Sequence, residues 1–238
     1  MDIEDIELYN MDCFHFLKEV KDSSVDLVLI DPPYNISRQS NFSSGSVTGR
    51  DTDRFRILTE FGEWDKDLID MDKLISELYR VLKSGGTIIS FYDLWKISYL
   101  KESFEKAGFK QLRFIEWLKT NPVPINSKIN YLTNSREIAL VGVKDSKPTF
   151  NSSYDNGLYS YPICRDKGRF HPTQKPLKLI EDLILKHSNE GDLILDCFSG
   201  SGTTAVACFN TGRHFIGCEL NEIYYNKSLE RIERSKNE

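Results

Sequence analysis

The chain has 238 residues, 39% of them hydrophobic and 28% charged, with a formal net charge of −5. That balance gives enough length for a substantial core and excludes low-complexity or collagen-like polymers. A polyanionic partner would meet a net negative total, so the distribution of charge matters more than its sum. Basic residues do gather locally: "CRDKGRFHPTQKPLK", from Cys164 to Lys178, holds five Lys or Arg against one Asp, and Arg38, Arg50, Arg54 and Arg56 form a second group. No apolar stretch approaches the roughly 20 residues of a membrane helix. The start "MDIEDIELYN" is acidic, unlike a signal peptide, so a cytoplasmic location is expected. Cys13, Cys164, Cys197, Cys208 and Cys218 show no CxxC spacing, and reduced thiols are expected with no metal site.

In chain order, a strand over Ile6 to Tyr9 precedes a helix from Phe14 to Val20, with Asp12 placed to cap it. The apolar run from Val25 to Ile30 reads as a buried strand. Residues 37–65 are rich in Ser, Gly and Arg without a sustained period, and loops this long are usually functional or disordered. A helix from Asp72 to Leu82 is expected to stop at "KSGG". There follow the strand "TIISFY", an amphipathic helix in "DLWKISYLKESFEKAGF" closed by Gly108, and the strands "LRFIEWLKT" and "EIALVGVK". A polar segment, 145–176, leads into the helix "LKLIEDLILKHS". The chain ends as strand "DLILDCF", turn "SGSG", helix "TTAVACFN", strand "HFIGCEL" and helix "YYNKSLERIERS". Alternating strands and helices predict one doubly wound α/β domain over residues 1–238, its sheet mostly parallel and covered on both faces. Because no helix separates "LRFIEWLKT" from "EIALVGVK", these two strands are predicted as an antiparallel pair at one edge.

Two sites of punctuation carry chemistry. In "LVLIDPPYNIS" the strand stops at Asp31, Pro32, Pro33 and Tyr34. One proline already ends the ladder, and a second restricts the residue before it, so Asp31 and Tyr34 are presented from stiff backbone. In "LILDCFSGSGTTAVACF", Gly200 and Gly202 allow a tight turn and close approach of a ligand, and Thr203 or Thr204 is placed to cap the helix that follows. Asp196 ends the strand before the turn, and Glu219 ends the strand after it, nineteen residues beyond Gly200. An acid at about that distance is where ribose hydroxyls are held in nucleotide-binding sheets, roughly 20 residues on. Neither a third fingerprint glycine nor a P-loop lysine is present. The pocket suits a nucleoside without a phosphate chain, and S-adenosylmethionine fits that description.

With "DPPY", "HPTQKP" and "FSGSGTT" in that order, the chain resembles the β-class DNA amino-methyltransferases, which methylate adenine N6 or cytosine N4. The likeness runs through "FGEWD", "TNPVP" and the terminal strand and helix, nearly the whole length. It implies the circularly permuted class I S-adenosylmethionine-dependent methyltransferase fold, a seven-stranded sheet with one antiparallel strand. It also implies that the Asp31 carboxylate and Pro32 carbonyl accept the two hydrogens of an exocyclic amine, aimed by the stiff Pro32-Pro33 pair. Tyr34 would stack on a base rotated out of the duplex. Asp12 and the Cys13 backbone would border the adenine ring of the cofactor. His171, Thr173, Gln174 and Lys175 would lie against its methionine half, with Lys175 meeting its carboxylate. Asp31, Asp196, Phe198, Ser199, Gly200, Ser201, Gly202, Thr203, Thr204 and Glu219 complete the implied cofactor site. Asn121, Pro122 and Pro124 would sit beside the target base.

The class carries its target-recognition region between the "TNPVP" element and "HPTQKP"; here that interval is short and centres on about 145–170. A loop at 36–63, expected to be mobile without DNA, is the second candidate. Double-stranded DNA, a second copy of the chain in a homodimer, and a cognate restriction endonuclease are the partners the resemblance implies. Within the class, aspartate opening "DPPY" accompanies adenine more often than cytosine. Site-specific adenine-N6 methylation is therefore expected, with N4-cytosine methylation as the alternative and a non-catalytic DNA-binding subunit as the second. Glutamine N5-methyltransferases carry Asn before the proline pair, and covalent cytosine-C5 chemistry needs more than the lone Pro162-Ile163-Cys164.

Overall fold

Residues 5–33, 69–122, 132–165 and 169–237 are described by a computed structural model. They form β1 (Ile6–Tyr9), α1 (Cys13–Glu19), β2 (Val25–Ile30), α2 (Met71–Val81), β3 (Leu82–Tyr92), α3 (Ile97–Ala107) and β4 (Lys110–Lys119). There follow β5 (Arg136–Val143), β6 (Leu158–Tyr161), α4 (Leu177–His187), β7 (Leu193–Asp196), α5 (Thr203–Thr211), β8 (His214–Cys218) and α6 (Glu222–Lys236). The strands make one sheet in the order β1-β8-β7-β2-β3-β5-β4-β6. All neighbours are parallel except β5, which runs against both β3 and β4.

The continuous apolar run of β2 reflects burial on both faces. Val28 and Ile30 join a cluster with Phe16, Leu17, Leu74, Ile75, Leu78 and Phe104, under α1, α2 and α3. Leu27 and Leu29 join a second cluster with Leu179, Leu183, Val206 and Ile232, under α4, α5 and α6. The α/β class and the mostly parallel sheet thus follow from the sequence pattern. No helix among the described residues is long and apolar enough to cross a membrane.

Several local expectations change. The β4/β5 pair is antiparallel but lies inside the sheet, because β6 adds an eighth strand beyond β4 in the segment read as polar. Gly157 makes that strand start possible: it adopts φ +73°, and a Cβ there would lie 2.6 Å from the carbonyl oxygen of Phe114. Helix α2 does not end on glycine; its C-cap is Leu82 in extended backbone, and "KSGG" belongs to β3. The stretch from Asp93 opens as a short 3₁₀ turn, Leu94–Lys96, whose Trp95 amide is held by the Asp93 side chain, before α3 begins. Gly108 closes α3 in left-handed backbone, as read.

Topology brings distant motifs together. The last β–α–β unit, β7–α5–β8, is inserted between β1 and β2, so the turn after β7 lies beside the end of β2. This is the spatial meaning of the permuted motif order.

Candidate active site

At the carboxyl ends of β1, β2, β7 and β8 lies a cavity of about 510 Å³. Ligands of open α/β sheets bind in such crevices, where strand order reverses. Each strand contributes its C-terminal residues: Asp12 and Cys13 after β1, Asp31, Pro32 and Pro33 after β2, Asp196 through Ser201 at β7, and Glu219 after β8. The segment before α4 adds His171, Thr173, Gln174 and Lys175, and α5 adds Thr203 and Thr204. Of the cofactor residues expected from sequence, only Gly202 is not on the cavity wall. Tyr34, Pro124, the "FGEWD" stretch and the loop 36–63 lie outside the described residues.

The glycine turn is fixed from both sides. Gly200 (φ +53°) and Gly202 (φ +69°) use backbone that side chains disfavour. The Gly200 amide donates to Glu219 Oε2 at 2.8 Å, and the Asn221 amide donates to Glu219 Oε1 at 2.8 Å. The Ser228 hydroxyl of α6 donates to the Gly200 carbonyl at 2.9 Å. Gly202 itself is the N-cap of α5, without any side-chain cap, which corrects the capping role expected of the threonines. The Thr204 hydroxyl instead donates to Asp196 Oδ2 at 2.7 Å, and Thr203 Oγ1 pairs with Ser201 Oγ and accepts from Arg231. The first amides of α5 thereby stay uncapped by side chains beside the cavity, which also has Ser199 and Gln174 on its wall. Ser199 Oγ and Gln174 Oε1 are both buried with no hydrogen-bond partner among the described residues. Such atoms are costly unless a ligand satisfies them.

Two acids face this region. Burial pushes the Asp196 carboxyl up to about 7, despite hydrogen bonds from Thr204 and the Phe198 amide. Burial likewise raises Glu219, partly offset by its backbone donors. Around the turn, His171 stands edge-on to Tyr224 with ring centroids 4.5 Å apart, and burial, then Lys175 and Arg169, hold its imidazole down at about 4. His171 therefore packs as a neutral ring under Gly200. Asp12 caps α1 through the amides of Phe14 and His15, at 2.9 and 3.2 Å.

The profile of the DNA methylase family matches residues 25–230. Over 246 residues, the chain is 35% identical to the Type II methyltransferase M2.DpnII of Streptococcus pneumoniae, covering 95% of this chain and 89% of that protein. The chain belongs to the DNA methylase family of N6/N4 amino-methyltransferases. It is also 30% identical to the Type II methyltransferase M.HinfI of Haemophilus influenzae, over 94% of this chain and 67% of that one. Among solved structures, the crystal structure of an M1.HpyAVI–SAM complex superposes with a TM-score of 0.72 at 28% identity, covering 95% of this chain and 99% of that chain. The cytosine-N4-specific PvuII DNA methyltransferase reaches a TM-score of 0.72 at 17% identity, a likeness of fold alone.

In this methylase the end of β2 holds a feature the sequence did not reveal. The Lys175 ammonium donates to Asp31 Oδ2 and lies 3.1 Å from Glu137 Oε2, while Lys119 lies 2.7 Å from Glu137 Oε1. Lys175, expected to meet the cofactor's carboxylate, thus has two protein carboxylates as its ion-pair partners here. Asp31 Oδ1 is buried with no partner among the described residues. Burial raises the Asp31 carboxyl, Lys175 draws it back and Glu137 pushes it up again, leaving it above the ordinary range. Phe91, whose ring Lys175 overlies at 4.9 Å, and Tyr224 are further wall residues that no motif marked. The loop's basic residues are partly used internally: Arg169 donates to the carbonyls of His171 and Pro172, and Arg165 to that of Asn121.

Proposed function

We propose that the methylase transfers a methyl group from S-adenosylmethionine to N6 of an adenine rotated out of double-stranded DNA. The observation that carries this reading is the carboxylate of Asp31, held at the cavity with one oxygen engaged by Lys175 and the other buried with no partner among the described residues. An exocyclic amine is a weak nucleophile because its lone pair is conjugated into the ring. Asp31 Oδ1 and the Pro32 carbonyl accept its hydrogens, which localises that lone pair; being aimed in advance, they need no reorganisation during transfer. Pro33 keeps the backbone stiff, and Tyr34 supplies the aromatic face for the base.

The cavity residues fit S-adenosylmethionine. Glu219 accepts from the backbone amides of Gly200 and Asn221, with Leu220 also near, and a carboxylate has about four acceptor sites, which leaves room for a ribose hydroxyl. Met11, Ile69, Phe198 and Leu220 give the wall apolar surface for an adenine ring. When bound, S-adenosylmethionine supplies a methyl group already activated on a sulfonium. The protein's contribution is orientation and exclusion of water. Aspartate at position 31 favours adenine over cytosine. Segments 36–63 and 145–170 are assigned to target recognition, the active form is a homodimer, and a cognate restriction endonuclease is its partner system; sedimentation as a monomer at working concentration would count against the dimer.

Labelled S-adenosylmethionine incubated with mixed-sequence DNA, followed by nucleoside separation, tests the reaction. Label is expected in N6-methyladenine; label in N4-methylcytosine would reverse the base assignment, and binding without transfer would leave a non-catalytic subunit. Asp31→Ala is expected to cut transfer by at least about a hundredfold, with cofactor affinity nearly unchanged. An active Asp31→Ala enzyme would refute the role given to this carboxylate.

A further inference from the structure

Four charged side chains form a line on one face of the sheet. Asp31 continues the β2 face of Leu29, and Phe91 is its neighbour on β3, since Ile30 pairs with Ser90. Phe91 pairs with Ala139 on β5, and Glu137, two residues back, points to the same side. Glu137 pairs with Trp117 on β4, and Lys119 lies two residues on, as its diagonal neighbour. Lys175 crosses this row from the segment before α4 and bonds to both acids. The side chains of Lys175 and Lys119 keep only 9% and 15% of their surface, and those of Asp31 and Glu137 keep 21% and 26%.

Buried ion pairs are weak contributors to stability, because desolvation offsets their attraction. Replacing such pairs with well-packed apolar residues is often neutral or stabilising. What the line provides is position. A lysine ammonium sits on a flexible stem with three donors, and one carboxylate alone leaves it free to turn towards another anion. Two carboxylates bracket it. The line also contains two acids and two bases, so it brings no net charge to the cavity.

We propose that Glu137, anchored by Lys119, is a positioning residue for methyl transfer: it holds the Lys175 ammonium in place on Asp31 Oδ2, so that the Asp31 carboxylate is fixed in orientation with Oδ1 committed to the amine of the target base. This rests on the function proposed above and reassigns Lys175 from the cofactor's carboxylate to the carboxylate of Asp31. Charged groups reach Asp31 from every element around it: Lys175 before α4, Glu137 on β5, Lys119 on β4 and Asp196 on β7. Their signs differ. Burial raises the Asp31 carboxyl, the two lysines lower it, and Glu137 raises it. Removing charge from Glu137 therefore moves the acid limb of the reaction to lower pH, whereas removing Lys175 or Lys119 moves it to higher pH. Loosened packing would slow the reaction at every pH without displacing the limb in opposite directions.

The experiment is single-turnover transfer from labelled S-adenosylmethionine to DNA across the acid range, for wild type, Glu137→Gln, Lys175→Met and Lys119→Met. Cofactor affinity is measured on each by calorimetry. The expected result is a rate loss of at least about tenfold for Glu137→Gln with its limb displaced downward, upward displacement for both lysine variants, and cofactor Kd altered by less than about threefold. Limbs that stay put, or all move the same way, overturn the positioning role. So does a Lys175→Met variant whose cofactor affinity falls by more than about tenfold while its limb is unmoved. If Glu137→Gln fails to fold, Lys119→Met decides the matter. A wild-type protein that labels no DNA removes the proposed function and this inference with it; labelled DNA with unmoved limbs removes only the inference.

Discussion

A methyl group placed on Gly217 would lie 2.4 Å from the backbone oxygen of Asp196 and 2.5 Å from the Phe215 ring. Backbone cannot retreat as a side chain can, and Asp196 is the residue from which the glycine turn departs. Gly200 is different: its added Cβ would meet the His171 ring at 3.3 Å, a neighbour able to shift, although φ +53° adds strain. Gly217→Ala is therefore expected to cost at least about 3 kcal/mol, against about 1 kcal/mol for Gly200→Ala. Cofactor affinity should show the reverse dependence per unit of stability lost, since only Gly200 lines the cavity. Urea titration with cofactor calorimetry checks both; equal destabilisation would contradict the difference in what each methyl meets. The contrast also explains what could be read from sequence. Gly200 stood in a turn motif, whereas Gly217 is a small residue in an apolar strand whose need for glycine arises only from register with β7. Likewise Asp31 was legible because two prolines follow it, and Glu137 was not, because an acid opening an apolar strand looks like a solvated strand end. The threonines after the turn were visible, but their hydroxyls find Asp196 and Arg231, tertiary partners that no capping rule contains.

At the scale of elements, β6 shows what fastens a segment too polar to bury itself. Tyr159 is its one buried residue, and Lys186 of α4 does the rest. That ammonium lies 2.9 Å from Asp155 Oδ2 and 3.2 Å from Asp182 Oδ1, and stands 4.3 Å from the centroid of the Tyr159 ring. The Tyr161 hydroxyl donates to Asp182 at 3.0 Å, and Trp117 of β4 donates through its indole to the Tyr161 carbonyl at 2.9 Å. Four residues of "LYSY" between Gly157 and Pro162 carry too little periodicity to announce a strand; the strand exists because an acid–lysine–acid clamp presses it onto β4 and α4. Replacing Lys186 with Met leaves two carboxylates facing one another. The expected loss is about 2–3 kcal/mol, with amide hydrogen exchange quickening first in β6 and only later in β2 and β7. Uniform quickening across the sheet would mean that β6 is not an independently fastened unit. Three helix starts, by contrast, are fixed locally, as Asp12, Asp70 and Asn221 each cap the helix they precede, and of these Asp12 was read from the sequence.

For the whole molecule, insertion of the last β–α–β unit between β1 and β2 concentrates Asp31, Asp196 and Glu219 at one end of the sheet, and burial raises all three carboxyls. A cavity suited to a cationic cofactor is then a liability without one. The size of that liability is clearest for Asp196, whose carboxyl is raised from 3.8 to about 7. Its favourable protonation in the folded state is fully present below 3.8 and is lost as pH rises through about 7. Two histidines, the half-buried His171 and the buried His187, act oppositely: each is held down from 6.5 to about 4, so stability falls as pH drops through that interval. Their contribution is common to wild type and Asp196→Asn, and cancels in the difference between them. The asparagine can still accept from the Phe198 amide and donate to a rotated Thr204 hydroxyl, so its hydrogen bonds survive. Without cofactor, Asp196→Asn should therefore gain stability over wild type as pH rises from the acid range to above neutrality, by at most about 4 kcal/mol. It should also bind S-adenosylmethionine more weakly, because the negative charge that a sulfonium or ammonium would favour is gone. Urea titrations on both sides of the interval measure the gap. A gap independent of pH would mean that Asp196 is already ionised at little cost in the free protein, and that the acids at this end of the sheet are not held in readiness for a cation.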